Sequence, residues 1–203
     1  MIFENRADAG RQLAARLHAY AGGDTRVLAL PRGGVPVAYE VALALNAPLD
    51  VFVVRKIGAP GREELAIGAI ASGGVRVLNE DTIATLGVDR LTVEEITQRE
   101  ARELERREDA YRGSLPAPNV ERRTVIFIDD GLATGASMHA AILALRQRNP
   151  GAIVVAVPVA PRDTCAALAP FVDALLVLAT PEPFRGVGAW YADFSQVSDE
   201  EVR

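Results

Sequence analysis

Residues Val125–Ser137 read Val-Ile-Phe-Ile-Asp-Asp-Gly-Leu-Ala-Thr-Gly-Ala-Ser. An unbroken apolar run of this length fits a strand buried on both faces, as in the middle of a parallel sheet. It runs directly into two carboxylates, Asp129 and Asp130. A loop of small residues follows, with Gly131, Ala133, Thr134, Gly135, Ala136 and Ser137, and then the apolar periodicity of a helix from Met138 to Arg148. Small residues let backbone N–H groups approach an anion, and Thr134 and Ser137 add hydroxyls. The helix N-terminus adds unpaired donors and about half a positive charge. The carboxylates repel a phosphate, so their natural partners are neutral hydroxyls such as those of a ribose. The segment suits a ribose 5-phosphate held at both ends.

The rest of the chain alternates strand and helix patterns. An amphipathic helix is expected over Asn5–Ala21, ended by Gly22-Gly23. A short strand over Arg26–Leu30, a Pro31-Arg32-Gly33-Gly34 turn, a helix over Val35–Asn46 and a strand over Pro48–Val54 come next. Arg55–Leu65 reads as a polar loop carrying Gly and Pro, and Ala66–Ala71 and Val75–Leu78 as a hairpin. Thr92–Tyr111 is a long charged helix whose Glu/Arg pairs at i,i+4 spacing give it a mostly solvated face. Strands over Ile153–Pro158 and Ala174–Leu178 flank a short helix over Asp163–Leu168. This order argues an α/β fold, an open mostly parallel sheet with helices on both faces. Such sheets bind ligands at the carboxyl ends of strands near a topological switch point. The Pro-Arg-Gly-Gly turn, Arg55–Lys56 and Asp129–Asp130 all follow strand ends.

Length and an apolar fraction of 49% suit one domain with a sizeable core. A net charge of −5 implies no general attraction to nucleic acid or to an anionic membrane, so an anion site must be made locally. Cys165 is the single cysteine, which excludes an intrachain disulfide and a multi-cysteine zinc site. No signal peptide and no run of membrane-spanning length is read, so a cytoplasmic protein is expected. Lys56 is the sole lysine among many arginines, which draws attention to it.

The central stretch resembles the phosphoribosyl-pyrophosphate (PRPP) motif of the type I phosphoribosyltransferases. Asp129, Asp130, Ala133, Thr134, Gly135 and Ser137 fit the family pattern. Gly131 stands where a branched apolar residue is usual, a departure that loosens the loop. A strand ending in aspartates also occurs in receiver domains and in magnesium-dependent phosphatases. Receivers carry the pair near the start of the domain, and the phosphatases favour Asp-x-Asp. Helix capping is the structural alternative for the pair.

The resemblance implies a core over residues 1–180, with a lid loop at about 55–65 and a charged helical insertion at about 80–112. A small C-terminal hood would occupy residues 181–203. It implies a pyrophosphate site of Arg32, Gly33, Gly34, Arg55 and Lys56, with a cis peptide at Arg32–Gly33. Arg62 would be the phosphate-reaching residue of the lid, and Glu64 would pair within it or meet a substrate amine. Ala133, Thr134, Gly135, Ala136 and Ser137 would hold the 5-phosphate. Asp129, Asp130, Lys56 and Arg32 would be the catalytic group. Phe184, Val187, Tyr191 and Asp193 would be base-binding candidates, with Trp190 and Tyr191 rivals for stacking. Magnesium would act through PRPP, with Asp129 or Asp130 reaching it through water. The implied reaction moves the 5-phosphoribosyl group of PRPP to a nitrogen acceptor, a 6-oxopurine slightly ahead of other nucleobases. A PRPP-sensing regulator without transferase activity, and a phosphatase or signalling domain, stay open as alternatives. The family often dimerises, so a homodimer is the implied assembly. His18 and His139 are placed on helix faces with no catalytic role.

Overall fold

The computed structural model describes residues 3–113 and 115–203, with the Glu64 side chain outside that description. Strands β1 (Thr25–Ala29), β2 (Leu49–Val51), β6 (Thr124–Ile128), β7 (Ala152–Val159) and β8 (Ala174–Ala179) form one sheet in the order β2-β1-β6-β7-β8. Every neighbouring pair in it is parallel. A second, antiparallel sheet consists of β3 (Val54–Ala59), β4 (Arg62–Ala71) and β5 (Val75–Leu78). The helices are α1 (Arg6–Arg16), α2 (Gly34–Leu45), α3 (Glu80–Leu86), α4 (Arg90–Arg112), α5 (Ala136–Arg146), α6 (Arg162–Leu168) and α7 (Asp199–Val202).

The central strand is buried because its neighbours β1 and β7 leave no edge to water and both faces are covered. On one face, Leu13, Leu17, Val37, Val41 and Leu45 of the α1–α2 region pack against Val27, Ile126 and Val154. On the other, Met138, Ile142 and Leu145 of α5 pack against Leu28, Phe127 and Val155. The alternating side chains of β1, β6 and β7 thus feed two cores. The chain runs β1–α2–β2 to one side and β6–α5–β7 to the other. The gap between the ends of β1 and β6 is therefore the topological switch point.

The stretch expected as a polar lid loop, Arg55–Leu65, is instead strand. β3 and β4 form a ribbon closed by a turn at Pro60-Gly61, where Gly61 takes φ +68. Gly and Pro at its tip and polar residues on its open face hide the pattern. The other face buries Ile57, Ala59 and Ile67 with Ile83, Val93 and Leu104 of α3 and α4. Helices α3 and α4 therefore share a separate core with this ribbon. On α4, Val93, Thr97, Glu100 and Leu104 are buried, and Asp89 caps the first turn by accepting from the Thr92 N–H at 3.0 Å.

The C-terminal stretch is tied to the start of the chain. Phe3 N–H donates to the Trp190 carbonyl at 2.8 Å, and Ala192 N–H donates to the Phe3 carbonyl at 2.8 Å. Phe3 and Tyr191 stack at 5.4 Å between ring centroids and pack with Ala9 and Val159. Among the described residues no helix is long and apolar enough to cross a membrane.

Candidate active site

The turn after β1 and the acidic pair after β6 meet at the switch point. A Cβ on Gly33 would lie 2.0 Å from Asp130 Oδ2. One on Gly34 would lie 2.7 Å from the Ile128 carbonyl oxygen and 2.9 Å from the Asp129 Cα. Glycine is required at both positions by this contact, not by an unusual dihedral: Gly33 sits in the ordinary right-handed region at φ −59. The turn contains a cis peptide, as expected, but one residue earlier, at Pro31–Arg32 and not at Arg32–Gly33.

The loop from Ala133 to Ser137 is fixed by its own bonds and by α6. Gly135 adopts φ +74 and starts α5, so Ala136 and Ser137 belong to the first helical turn. A side chain at Gly135 would be strained by that dihedral and would meet Thr164 Cγ2 at 2.8 Å. Thr164 Oγ1 donates to the Ala133 carbonyl at 2.6 Å. Gly131 does not loosen this loop. A Cβ there would stand 2.6 Å from Val187 Cγ1 and 2.9 Å from Val159 Cγ1, so the C-terminal stretch packs into the space a branched residue would fill.

Asp129 and Asp130 are drawn into the crevice. Burial raises both carboxyl pKa values above the usual aspartate range. The neighbouring Asp130 charge pushes Asp129 further up, while the Arg6 guanidinium works against burial at Asp130. The Asp130 N–H donates to Asp129 Oδ1 at 2.8 Å, and Arg6 Nε donates to Asp130 Oδ2 at 2.8 Å. Arg6 Nη1 donates to the Ser195 carbonyl at 2.7 Å, and its guanidinium lies 3.9 Å from the Phe194 ring centroid. The sequence gives no motif for Arg6. Only the long-range contact from α1, which carries three arginines of like appearance, reveals it.

A cavity of about 700 Å³ opens beside Asp129; Asp130, Arg32, Gly33 and Gly34 are not among its walls. Its walls include Pro31, Arg55, Lys56, Asp129, Thr134 and Ser137, so it brings together the three regions singled out in the sequence. Arg107 from α4 also lines it. Arg55 already has a partner: its Nε and Nη2 donate to Glu100 Oε2 at 3.0 and 2.6 Å. Arg32 Nη1 lies 3.6 Å from Asp199 Oδ1 of α7. Arg62 is exposed on the ribbon tip and does not line this cavity, and the role expected of Glu64 lies outside the described residues.

The four base-binding candidates fall elsewhere. Tyr191 is 6% exposed, its ring packs on Phe3 and Phe194, and its hydroxyl donates to the Asp130 carbonyl at 2.5 Å. Burial, and then the Asp130 charge, raises its pKa and keeps it a neutral donor. Phe184, Val187 and Trp190 pack around that ring cluster. Asp193 is exposed and accepts from the Ser195 N–H at 2.9 Å. None of the four lines the large cavity. Among the described residues no group of three or more acidic, His or Cys side chains is arranged to hold a metal. Two adjacent carboxylates, one of them bound by arginine, fit a magnesium ion that brings most of its oxygen ligands with the substrate.

The family model described as "Phosphoribosyl transferase domain" matches residues 1–167. The curated "Putative phosphoribosyl transferase Rv0571c" of Mycobacterium tuberculosis H37Rv is 45% identical over 201 residues, which is 99% of this chain and 45% of that protein. The counterpart from strain CDC 1551 gives the same figures. The chain thus spans less than half the length of these curated relatives. Among solved structures, TT1426 from Thermus thermophilus superposes with a TM-score of 0.91 at 42% identity, covering 100% of this chain and 96% of that one. The AQ2163 protein of Aquifex aeolicus shares the fold alone, with a TM-score of 0.54 at 10% identity over 90% of this chain and 78% of that one.

Proposed function

Because the chain belongs to the phosphoribosyl transferase domain family, we propose that it moves the 5-phosphoribosyl group of PRPP to a nitrogen acceptor and releases pyrophosphate. The observation that carries this reading is the contact of Gly33 and Gly34 with the acidic pair, next to a 700 Å³ cavity that Pro31 and Asp129 line. An anion-binding turn and a hydroxyl-binding pair are held within van der Waals distance of each other. A ribose bearing phosphate groups at two positions has the same polarity along its length.

In this reading the N–H groups and hydroxyls of Ala133–Ser137 hold the 5-phosphate. Asp129 and Asp130 accept from the ribose hydroxyls, with Arg6 fixing the Asp130 carboxylate. The turn Arg32–Gly34 and Lys56 receive the departing pyrophosphate. Arg55, bound to Glu100, contributes to that wall as a neutralised pair. Breaking the anomeric C–O bond leaves an oxocarbenium-like centre, so positioning and charge stabilisation supply the catalysis and no protein nucleophile is needed. Magnesium, bound with the pyrophosphate, would neutralise leaving-group charge. The acceptor is read as a nucleobase, a 6-oxopurine ahead of the others. Phe184, Val187 and Trp190 pack on the ring cluster away from the large cavity and Tyr191 braces Asp130, so the tail residues carry no contact to the acceptor here.

The test is pyrophosphate release from PRPP with magnesium across a nucleobase panel, with ribose 5-phosphate followed in parallel. Base-dependent release is expected. Tight PRPP binding with no release by any base would make the chain a PRPP sensor, and absence of PRPP binding would refute the site. In a folded Asp129→Asn/Asp130→Asn variant, turnover should fall at least about 100-fold; near-normal turnover would remove the pair from the reaction.

A further inference from the structure

We propose that Arg107 of the helical insertion is a pyrophosphate-binding residue, so that α4 forms a wall of the active site. The proposal rests on the transferase reading above. Arg107 lines the 700 Å³ cavity with Lys56, Pro31 and Thr134. Its position along α4 shows which end of PRPP it would meet. Glu100, seven residues earlier, grips Arg55 at 2.6 Å, and Tyr111, four residues later, donates to Asp199 Oδ1 at 2.9 Å. Asp199 in turn pairs with Arg32. Residues spaced by seven and four share one helix face. Arg107 is therefore bracketed by two residues of its own face, one reaching the Arg55–Lys56 strand and the other the Arg32 turn. Both of those elements belong to the pyrophosphate side, and the backbone loop at Ala133–Ser137 serves the other end.

The guanidinium is also held in a suitable posture. Arg107 Nε donates to Glu103 Oε1 at 2.8 Å. The same carboxylate accepts from Arg106 Nε and Nη2 at 2.8 and 2.9 Å. The two arginines hold the Glu103 carboxyl down at about 2, so it stays ionised at any working pH. Glu103 thus fixes the Nε edge of Arg107, and the two-nitrogen end is the part that can fork to phosphate oxygens. Arg107 is 37% exposed while Arg106 is 63% exposed, as expected if the first faces the crevice and the second faces water. The need is electrostatic as well. With Arg55 matched by Glu100 and a net charge of −5, a strongly anionic leaving group calls for a further cation on this wall.

The experiment is calorimetric titration of the full chain with PRPP, with magnesium pyrophosphate and with ribose 5-phosphate, for wild type, Arg107→Ala, Arg107→Lys and Arg106→Ala. Arg107→Ala is expected to weaken PRPP and pyrophosphate about 10- to 100-fold and to leave ribose 5-phosphate unchanged. Arg107→Lys should recover part of the loss, and Arg106→Ala, which opens the same Glu103 pair, should show none. Unchanged affinities in Arg107→Ala would overturn the proposal and leave the transferase reading standing. So would equal losses for ribose 5-phosphate, or an Arg106→Ala loss as large as that of Arg107→Ala, which would mark a structural effect through Glu103. A wild-type chain that binds neither PRPP nor pyrophosphate would overturn both.

Discussion

Gly131 and Val187 share one space: a Cβ on the glycine would lie 2.6 Å from Cγ1 of the valine. The loop after the acidic pair and the C-terminal stretch are thereby packed as one piece. Gly131→Val should overpack this point and cost about 1–3 kcal/mol. For a chain of this size each kcal/mol is read as about 2–4 °C in Tm. Adding Val187→Ala should recover part of the loss. Melting curves of the two single variants and the double variant test this, and simple additivity would show that the two residues do not compete for the space.

Gly33 has less room still, with Asp130 Oδ2 at 2.0 Å from where its Cβ would be. Gly33→Ala should move either the turn or the carboxylate by about 1 Å, enough to lower PRPP affinity or turnover about 100-fold. Its circular dichroism should match wild type, because the turn lies at the rim of the crevice. PRPP affinity and turnover both within about threefold of wild type would contradict the shared geometry.

Arg6 connects the acidic pair to the C-terminal stretch through Asp130 and the Ser195 carbonyl. Arg6→Ala should cost about 2–3 kcal/mol, since it leaves a largely buried carboxylate without its cation. It should also let the Asp130 pKa rise further, because Arg6 is what opposes the effect of burial there. The acid limb of the rate–pH profile should then move to higher pH. Arg6→Lys keeps the charge but not the fork, so it should restore the pH limb and not the tether to Ser195. An unmoved limb in Arg6→Ala would count against the assignment of Asp130.

The acidic pair sets a pH dependence of stability with an uncommon sign. Both carboxyls bind protons more tightly folded than unfolded, because burial raises them. From the ordinary aspartate range up to these raised values, the native state carries more protons than the unfolded one. Stability therefore falls as pH rises through that window and is fullest below it. Asp129→Asn removes the larger part of this cost. At neutral pH the variant should melt above wild type while losing activity, and the gain should vanish as pH falls below the aspartate range. A variant that melts below wild type at neutral pH would refute the raised state of Asp129.

The parts of the site that were legible in the sequence are those carried by local pattern. The Val125–Ile128 run, the acidic pair and the small-residue loop announce a buried strand and a helix start within one stretch, and β5 falls where the hairpin reading places it. What was hidden depends on partners remote in sequence. Arg6 acts on a residue 124 positions away. The β3–β4 ribbon looks like a loop because its buried face is completed by α3 and α4. Arg107 is one of several arginines on a charged helix, and only the approach of that helix to β3 distinguishes it. Gly131 reads as slack until Val187 is seen in the space beside it.

Tyr111, Asp199 and Arg32 meet although they belong to α4, the C-terminal stretch and the turn after β1. These three regions have consequently lost their independence as building blocks. A chimera that borrows only α4 from a relative inherits a helix face shaped for a different tail, and one that borrows only the tail presents its carboxylate to the wrong hydroxyl. Exchange between relatives should succeed when both pieces travel together, which makes recombination boundaries in this lineage a matter of matched pairs.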